Sequence, residues 1–274
     1  MSDFTVRFWG VRGSIPCPGP ATQRYGGNTS CVEVRCGERL IILDAGSGLR
    51  ELGNALVKQS DQIDADILLT HCHYDHVAGL PFFAPFYKPQ NQFRLRAGSL
   101  LPHSGVKTMV QTLMSEPLFS IDVDKFRADI NYCDFIAGES MTLGDVTIRT
   151  APLNHPGKAT GYRIDYAGRS LAYLTDHEAH GGDSDAALVE LARGADLVIY
   201  DTTYTDDEIG SRRGWGHSTW RDGFQLVDAA GAKTFCLFHH APEHDDDTMD
   251  AILREAEAER PGTIAAKEQA VIRL

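Results

Sequence analysis

The sequence lacks any apolar run long enough for a membrane span. Stretches such as Leu40-Ile41-Ile42-Leu43 are strand-sized, far below the roughly 20 residues that cross a bilayer. Met1–Arg7 has no basic head leading into an apolar segment, so no export signal is read and the cytoplasm is the expected compartment. There is no CxxC pair. The six cysteines, at 17, 31, 36, 72, 133 and 236, are scattered, which excludes a disulfide framework and predicts reduced, mostly buried thiols. Positive charge is scarce: 26 Lys and Arg stand against 38 Asp and Glu, a net charge of −12. Such a surface repels long polyanions and disfavours a general nucleic-acid binder. No linker or low-complexity stretch divides the chain, so residues 1–274 are read as one domain of two similar halves meeting near residue 150.

Alternating and apolar segments predict strands at Phe4–Gly10, Cys31–Cys36, Arg39–Asp44 and Asp66–Thr70, the second and third joined by a tight Gly37-Glu38 hairpin. Further strands are predicted at Thr147–Thr150, Thr160–Asp165, Ser170–Thr175 and Leu197–Tyr200. Helical spacing predicts helices over Gly46–Val57, Lys107–Leu118, 184–194, 219–231 and 246–258. The proline- and aromatic-rich "PFFAPFYKP" within 81–130 reads as a loop or lid near the functional site. Strands followed by helices, twice over, suggest two sheets face to face with helices outside.

Histidine is sparse, yet three of the 11 lie within six positions, in "THCHYDH". His71 and His73 share a face of extended chain, and Asp75 and His76 follow at a turn into a helix. Imidazole and carboxylate together suit zinc or a similar divalent ion. Further candidates stand just after apolar strands: His155 in "APLNHPG", Asp176 in "LAYLTDHE" and His239 in "CLFHHAP". Cys72 alternates away from its neighbours and reads as a buried thiol. The acids of "HDDDTMD", 244–250, read as the first turn of a helix rather than as ligands.

The spaced pattern Thr-His-x-His-x-Asp-His, with a distant His, Asp and His, resembles the metallo-β-lactamase-fold hydrolase superfamily over essentially the whole chain. The resemblance implies an α/β fold, a four-layer αββα sandwich of two mixed sheets flanked by helices, with a two-metal site at one sheet edge. It implies that His71, His73 and His155 hold one divalent ion, that Asp75, His76 and His239 hold the other, and that Asp176 bridges them. His240 is the alternative to His239. Asp44, in "ILDAGSG", would support the ligands from behind. Zn2+ is the first choice, Mn2+ or Fe2+ the alternatives.

Flavodiiron-type chemistry would place a glutamate at His73. "WGHSTW" (215–220), "VIYDTTY" (198–204) and "GGNTSC" (26–31) instead resemble the ribonuclease Z and phosphodiesterase branch. That likeness implies catalytic roles for Asp75, His217 and Asp201, and substrate contacts for Asn28, Thr29, Ser30 and Ser218. In such chemistry a metal-activated hydroxide would attack phosphorus, His217 would protonate the leaving oxygen, and Asp201 would orient His217. Ser218 is expected to cap the helix that begins at Thr219. Arg212 and Arg213 either hold a phosphate or form a solvated surface pair.

Ribonuclease Z carries a Gly/Pro-rich arm that grips tRNA, and no such basic insertion is present. The expected function is therefore a dinuclear phosphodiesterase cleaving a small ester such as a cyclic nucleotide, as a homodimer. A tRNA 3′-processing-like endoribonuclease, a carboxylic ester, thioester or lactam hydrolase, and a non-catalytic metal-binding protein are the alternatives.

Overall fold

In the computed structural model, which describes residues 3–180 and 183–274, strands assemble into two seven-stranded sheets. The first contains β1 (Phe4–Gly10), β2 (Cys31–Cys36), β3 (Arg39–Leu43), β4 (Asp64–Leu69), β5 (Gln92–Ala97) and β6 (Asp129–Asp134) in that spatial order. The second runs from β7 (Ser140–Leu143) through β8 (Val146–Leu153), β9 (Ala159–Tyr166), β10 (Arg169–Leu174), β11 (Leu197–Asp201) and β12 (Thr234–Phe238) to β13 (Ile264–Ala265). The last strand, β14 (Val271–Arg273), returns to the first sheet and pairs antiparallel with β1.

Each sheet has one antiparallel side and one parallel side. In the first, β1, β2 and β3 pair antiparallel while β3, β4, β5 and β6 pair parallel. In the second, β7 to β10 pair antiparallel while β10 to β13 pair parallel. Parallel strands need crossovers, and the crossovers supply the helices. Helices α1 (Gly48–Gln59) and α3 (Val106–Leu113) cover the first sheet. Helices α4 (Asp183–Ala192), α6 (Trp220–Ala230) and α7 (Asp246–Glu259) cover the second. Two short helices, α2 (Tyr74–Val77) and α5 (Asp206–Ile209), follow β4 and β11.

Three apolar clusters separate the four layers. Phe8, Val34, Leu68, Tyr162, Tyr173 and Phe238 belong to the one between the sheets. The α1 stripe Leu49, Leu52 and Leu56 lies in a second, and Phe224, Val227 and Ile252 lie in the third. This is the expected αββα sandwich. No helix among the described residues is long and apolar enough to cross a membrane. All six cysteines are free; Cys31, Cys36 and Cys236 are buried, while Cys17, Cys72 and Cys133 are only partly so.

Two segments differ from expectation. "PFFAPFYKP" is no lid: Phe83 and Phe86 are buried and pack edge-on against one another and against Phe93 of β5. The aromatic side chains pack with Leu49, Leu52 and Leu56 of α1 in one cluster and lead into β5. The helix expected to reach Leu118 ends at Leu113, and Pro117 bars it from continuing through Glu116.

Asp66 on β4 is fully buried and meets Arg94 at 3.0 Å, Arg96 at 3.0 Å and Arg39 at 3.4 Å. Since β4 ends in the histidine cluster, this knot fixes the strand that delivers it. Asp66→Ala should lower the unfolding free energy by about 2 kcal/mol, the scale of a lost charged hydrogen-bond set, in urea melts followed by circular dichroism.

Candidate metal centre

The parallel strands end at one edge of the sandwich, and most candidate side chains stand on the loops that leave them, while His155 follows β8, antiparallel to both its neighbours. Three of these residues adopt left-handed backbone: Asp44 after β3 (φ 59°), Asp176 beyond β10 (φ 61°) and His239 after β12 (φ 62°). Such a conformation costs a non-glycine residue roughly 1–2 kcal/mol. Its recurrence at three strand ends marks sharp turns that aim the side chains at a shared space.

His71, His73 and His155 form one group whose ligand atoms lie within 4.8 Å of one another; Asp75, His76 and His239 form another. Asp176 lies between them, its Oδ1 4.0 Å from His71 Nε2 and 3.8 Å from His155 Nε2, its Oδ2 3.1 Å from His76 Nε2. His239 Nε2 is 3.3 Å from Asp75 Oδ2 and 3.4 Å from both His76 Nε2 and Asp176 Oδ1. His155 Nε2 is 3.0 Å from His73 Nδ1. Four ligands at about 2.1 Å from a tetrahedral ion stand about 3.4 Å apart, close to most of these spacings.

The tautomers also fit a cation. His155 Nδ1 donates to Gly216 O at 2.9 Å and His76 Nδ1 to Asp44 Oδ2 at 2.9 Å. His71 Nδ1 lies 3.1 Å from Thr70 Oγ1, and His239 Nδ1 2.9 Å from Thr203 Oγ1. With Nδ1 so engaged, each ring turns an Nε2 lone pair inward, and buried His71 Nε2 has no hydrogen-bond partner among the described residues. Burial pushes His71, His73 and His155 below the ordinary imidazole range, toward the neutral form that binds metal. His76 is buried too, but Asp176, Asp75 and Asp44 push it well up. Those carboxylates call for positive charge. The residues thus fit two divalent ions sharing Asp176.

Two hydroxyl relays support the rings. Asp44 accepts from Thr70 N (2.7 Å), Thr70 Oγ1 (2.9 Å) and Tyr173 Oη (2.9 Å). Asp201 accepts from Thr203 N (3.0 Å) and Thr203 Oγ1 (2.7 Å). Asp75 is held from a third direction by Ser14 N at 2.7 Å. Thr203 and Ser14 were not singled out in the sequence. Thr203 lies within "DTTY" and so had a local signal; the Ser14 amide had none.

His217 lies on the same space but is bonded differently. Its Nδ1 is 2.8 Å from Asp201 Oδ2, a hydrogen-bond distance rather than a ligand-to-ligand distance across an ion. Its ring stacks on His239 at 5.0 Å and meets Tyr204 edge-on at 5.7 Å, while Arg212 lies over Tyr204. Burial alone would lower its pKa, but the charge and hydrogen bond of Asp201, with Asp176 and Asp75, raise it to about 9.

The remaining candidates go elsewhere. His240 turns away, its Nε2 bonded to Ala266 O and its ring against Tyr25, so His239 is the one facing the cluster. Asn28 and Thr29 clasp Ser47: Thr29 N donates to Ser47 Oγ, Ser47 N to Thr29 Oγ1 and Ser47 Oγ to Asn28 Oδ1. Thr29 and Ser30 are fully buried, which closes their side chains to a substrate. Ser218 is likewise buried, donating to His177 O at 2.6 Å and accepting from Ala179 N at 3.0 Å. The cap of α6 is Thr219, in a capping box with Asp222, because Ser218 is already engaged in those bonds. Arg213 reaches Ala179 O. In the acidic stretch, Asp245 caps α7 and Asp246 accepts from the amides of Arg24 and Tyr25.

Thr203→Val removes the acceptor of the His239 Nδ1 proton at nearly constant volume. It should weaken retention of one of two bound divalent ions by about 10–100-fold, measured by competition with a chelator, while the other ion is held as before.

The sequence model of the beta-lactamase superfamily domain matches residues 39–240. Over 107 residues the chain is 36% identical to a ribonuclease Z of Brevibacillus brevis, covering 37% of this chain and 31% of that protein's length. It is 28% identical over 229 residues to the uncharacterized protein Rv1339 of Mycobacterium tuberculosis, covering 82% and 78%. The fold is similar to metallo-β-lactamase fold protein YhfI from Bacillus subtilis (TM-score 0.75, 19% identity, all of both chains). It is also similar to a diphosphatase of the PhnP family (TM-score 0.72, 20% identity, 99% and 98%) and to the short form of human tRNase Z (TM-score 0.68, 18% identity, 98% of each). With its histidines and aspartates gathered at the sheet edge, the chain belongs to the metallo-β-lactamase superfamily, and its sequence is similar to that of ribonuclease Z.

Proposed function

We propose that this metallo-hydrolase is a phosphodiesterase acting on a small anionic diester, a cyclic nucleotide being the leading candidate. The observation that carries this reading is the His217–Asp201 pair, an imidazole with Nδ1 2.8 Å from a buried carboxylate, beside the candidate metal ligands. Similarity to proteins named ribonuclease Z and diphosphatase points the same way.

His71, His73, His155 and Asp176 would hold one ion, and Asp75, His76, His239 and Asp176 the other. When bound, such ions polarise the phosphoryl oxygens and acidify a water molecule. The work of the chain lies around that chemistry. Asp75 and Asp176 would supply the negative charge that offsets the two cations. With Nδ1 engaged by Asp201, His217 has Nε2 left to donate a proton to the departing alkoxide. Asp201 keeps that imidazole protonated at neutral pH and fixes its plane. The net charge of −12 favours a short ester over tRNA.

His217→Ala should lower kcat on an alkoxide-leaving diester by about 10²–10⁴-fold with both metals retained. Turnover should be measured on bis-(p-nitrophenyl) phosphate, on 2′,3′- and 3′,5′-cyclic nucleotides, and on a precursor tRNA. Cleavage of only the tRNA would make the protein an endoribonuclease. Cleavage of carboxylic esters alone, indifferent to His217, would end the phosphodiesterase reading.

A further inference from the structure

Glu178 stands two residues beyond Asp176, is buried, and belongs to none of the metal-capable groups among the described residues. Its carboxylate is spent on one loop. Gly214 N donates to both oxygens at 2.9 Å, and Gly216 N donates to Oε2 at 2.9 Å. Its backbone is tied to the residue before His155: Glu178 N donates to Asn154 O at 2.8 Å, and Asn154 Nδ2 to Glu178 O at 2.7 Å. Residue 178 therefore fastens two segments together, one carrying His155 and the other carrying His217.

The loop needs such a restraint. Gly214 and Gly216 both have positive φ, 88° and 91°. A Cβ at Gly216 would lie 2.2 Å from His155 Nδ1, so only glycine lets the backbone approach the ring. Glycine permits this geometry without enforcing it. Charge-assisted bonds from two amides to one carboxylate supply the enforcement. What they fix is Gly216 O, which takes the His155 Nδ1 proton at 2.9 Å, and, one residue on, His217.

We infer that Glu178 is a positioning residue that sets, through the 214–216 loop, both the metal-binding tautomer of His155 and the placement of His217. The metal arm of this inference stands on the histidine cluster alone; the His217 arm rests on the proton-donor role proposed above.

The test compares Glu178→Ala, Glu178→Gln, His155→Ala and the double variant His155→Ala/Glu178→Ala, each loaded with zinc and titrated with a chelator. Glu178→Ala should weaken retention of one ion by about 10–100-fold and add nothing in the His155→Ala background, since both changes act on the same ligand. Glu178→Gln, which keeps the volume and one acceptor, should recover part of the loss. Unchanged retention in Glu178→Ala, or an equal loss with and without His155, overturns the metal arm. The second readout is the ratio of turnover on bis-(p-nitrophenyl) phosphate, whose leaving group needs no proton, to turnover on an alkoxide-leaving diester. His217→Ala and Glu178→Ala should both raise it. A rise in His217→Ala alone overturns the link from Glu178 to His217 and leaves the proposed function standing. No rise in His217→Ala removes the proton-donor role itself, and the chelator titration then decides Glu178 by itself.

Discussion

Five imidazole nitrogens and two carboxylates crowd one largely buried space at spacings of 3.0–4.0 Å, and their lone pairs and charges repel unless cations lie among them. Everything near the sheet edge answers to that constraint. The rings cannot relieve the crowding by rotating, because most have Nδ1 pinned to a protein acceptor. Nor can the loops spread, because Asp44 ties them across the sandwich: it follows β3 and accepts from Thr70 after β4 in the first sheet and from Tyr173 on β10 in the second. A carboxylate shared between the sheets keeps the two sets of ligands facing each other.

The two sheets solve the orientation problem with the same device. In the first, Asp44, the Thr70 hydroxyl and His71 Nδ1 form a chain; in the second, Asp201, the Thr203 hydroxyl and His239 Nδ1 form another. A threonine hydroxyl suits the middle position because it accepts from the imidazole while donating to the carboxylate. Each relay starts at the end of a parallel strand, where strand ends gather at one edge. The shared order of antiparallel and parallel pairings gives both relays the same relation to their sheets.

That geometry also decides what the sequence could reveal. His71, His73, Asp75 and His76 are legible because strand and turn place neighbours in sequence beside one another in space. His155, Asp176 and His239 are legible through their place after apolar strands and through family resemblance. The link between Glu178 and Gly216 is not: they lie in the stretches "LAYLTDHE" and "WGHSTW", but a hydrogen bond from a backbone amide to a carboxylate 38 residues away leaves no signal of its own in the sequence. Asn28, Thr29 and Ser218 misled for the converse reason. Polar residues beside a site look the same in sequence whether they face a ligand or clasp a helix start. Of the elements, β5 was obscured by the aromatic segment before it, and β6 by its half-exposed setting, since neither buries a continuous apolar run.

The histidines divide into two kinds by electrostatics rather than by position. His71, His73 and His155 are driven toward neutrality chiefly by burial, whereas His76 and His217, also buried, are driven toward the imidazolium form by neighbouring carboxylates. For His217 the nearest of these is Asp201. It lies 2.8 Å from His217 Nδ1 and is itself held by Thr203 and the His177 amide. His76 likewise has a fixed carboxylate at Nδ1, Asp44 at 2.9 Å, so a buried anion beside the ring is common to both imidazoles that are driven toward the charged form. What sets His217 apart from His155, whose ring centre lies 5.3 Å away and which burial drives toward neutrality, is therefore the buried carboxylate at the end of β11.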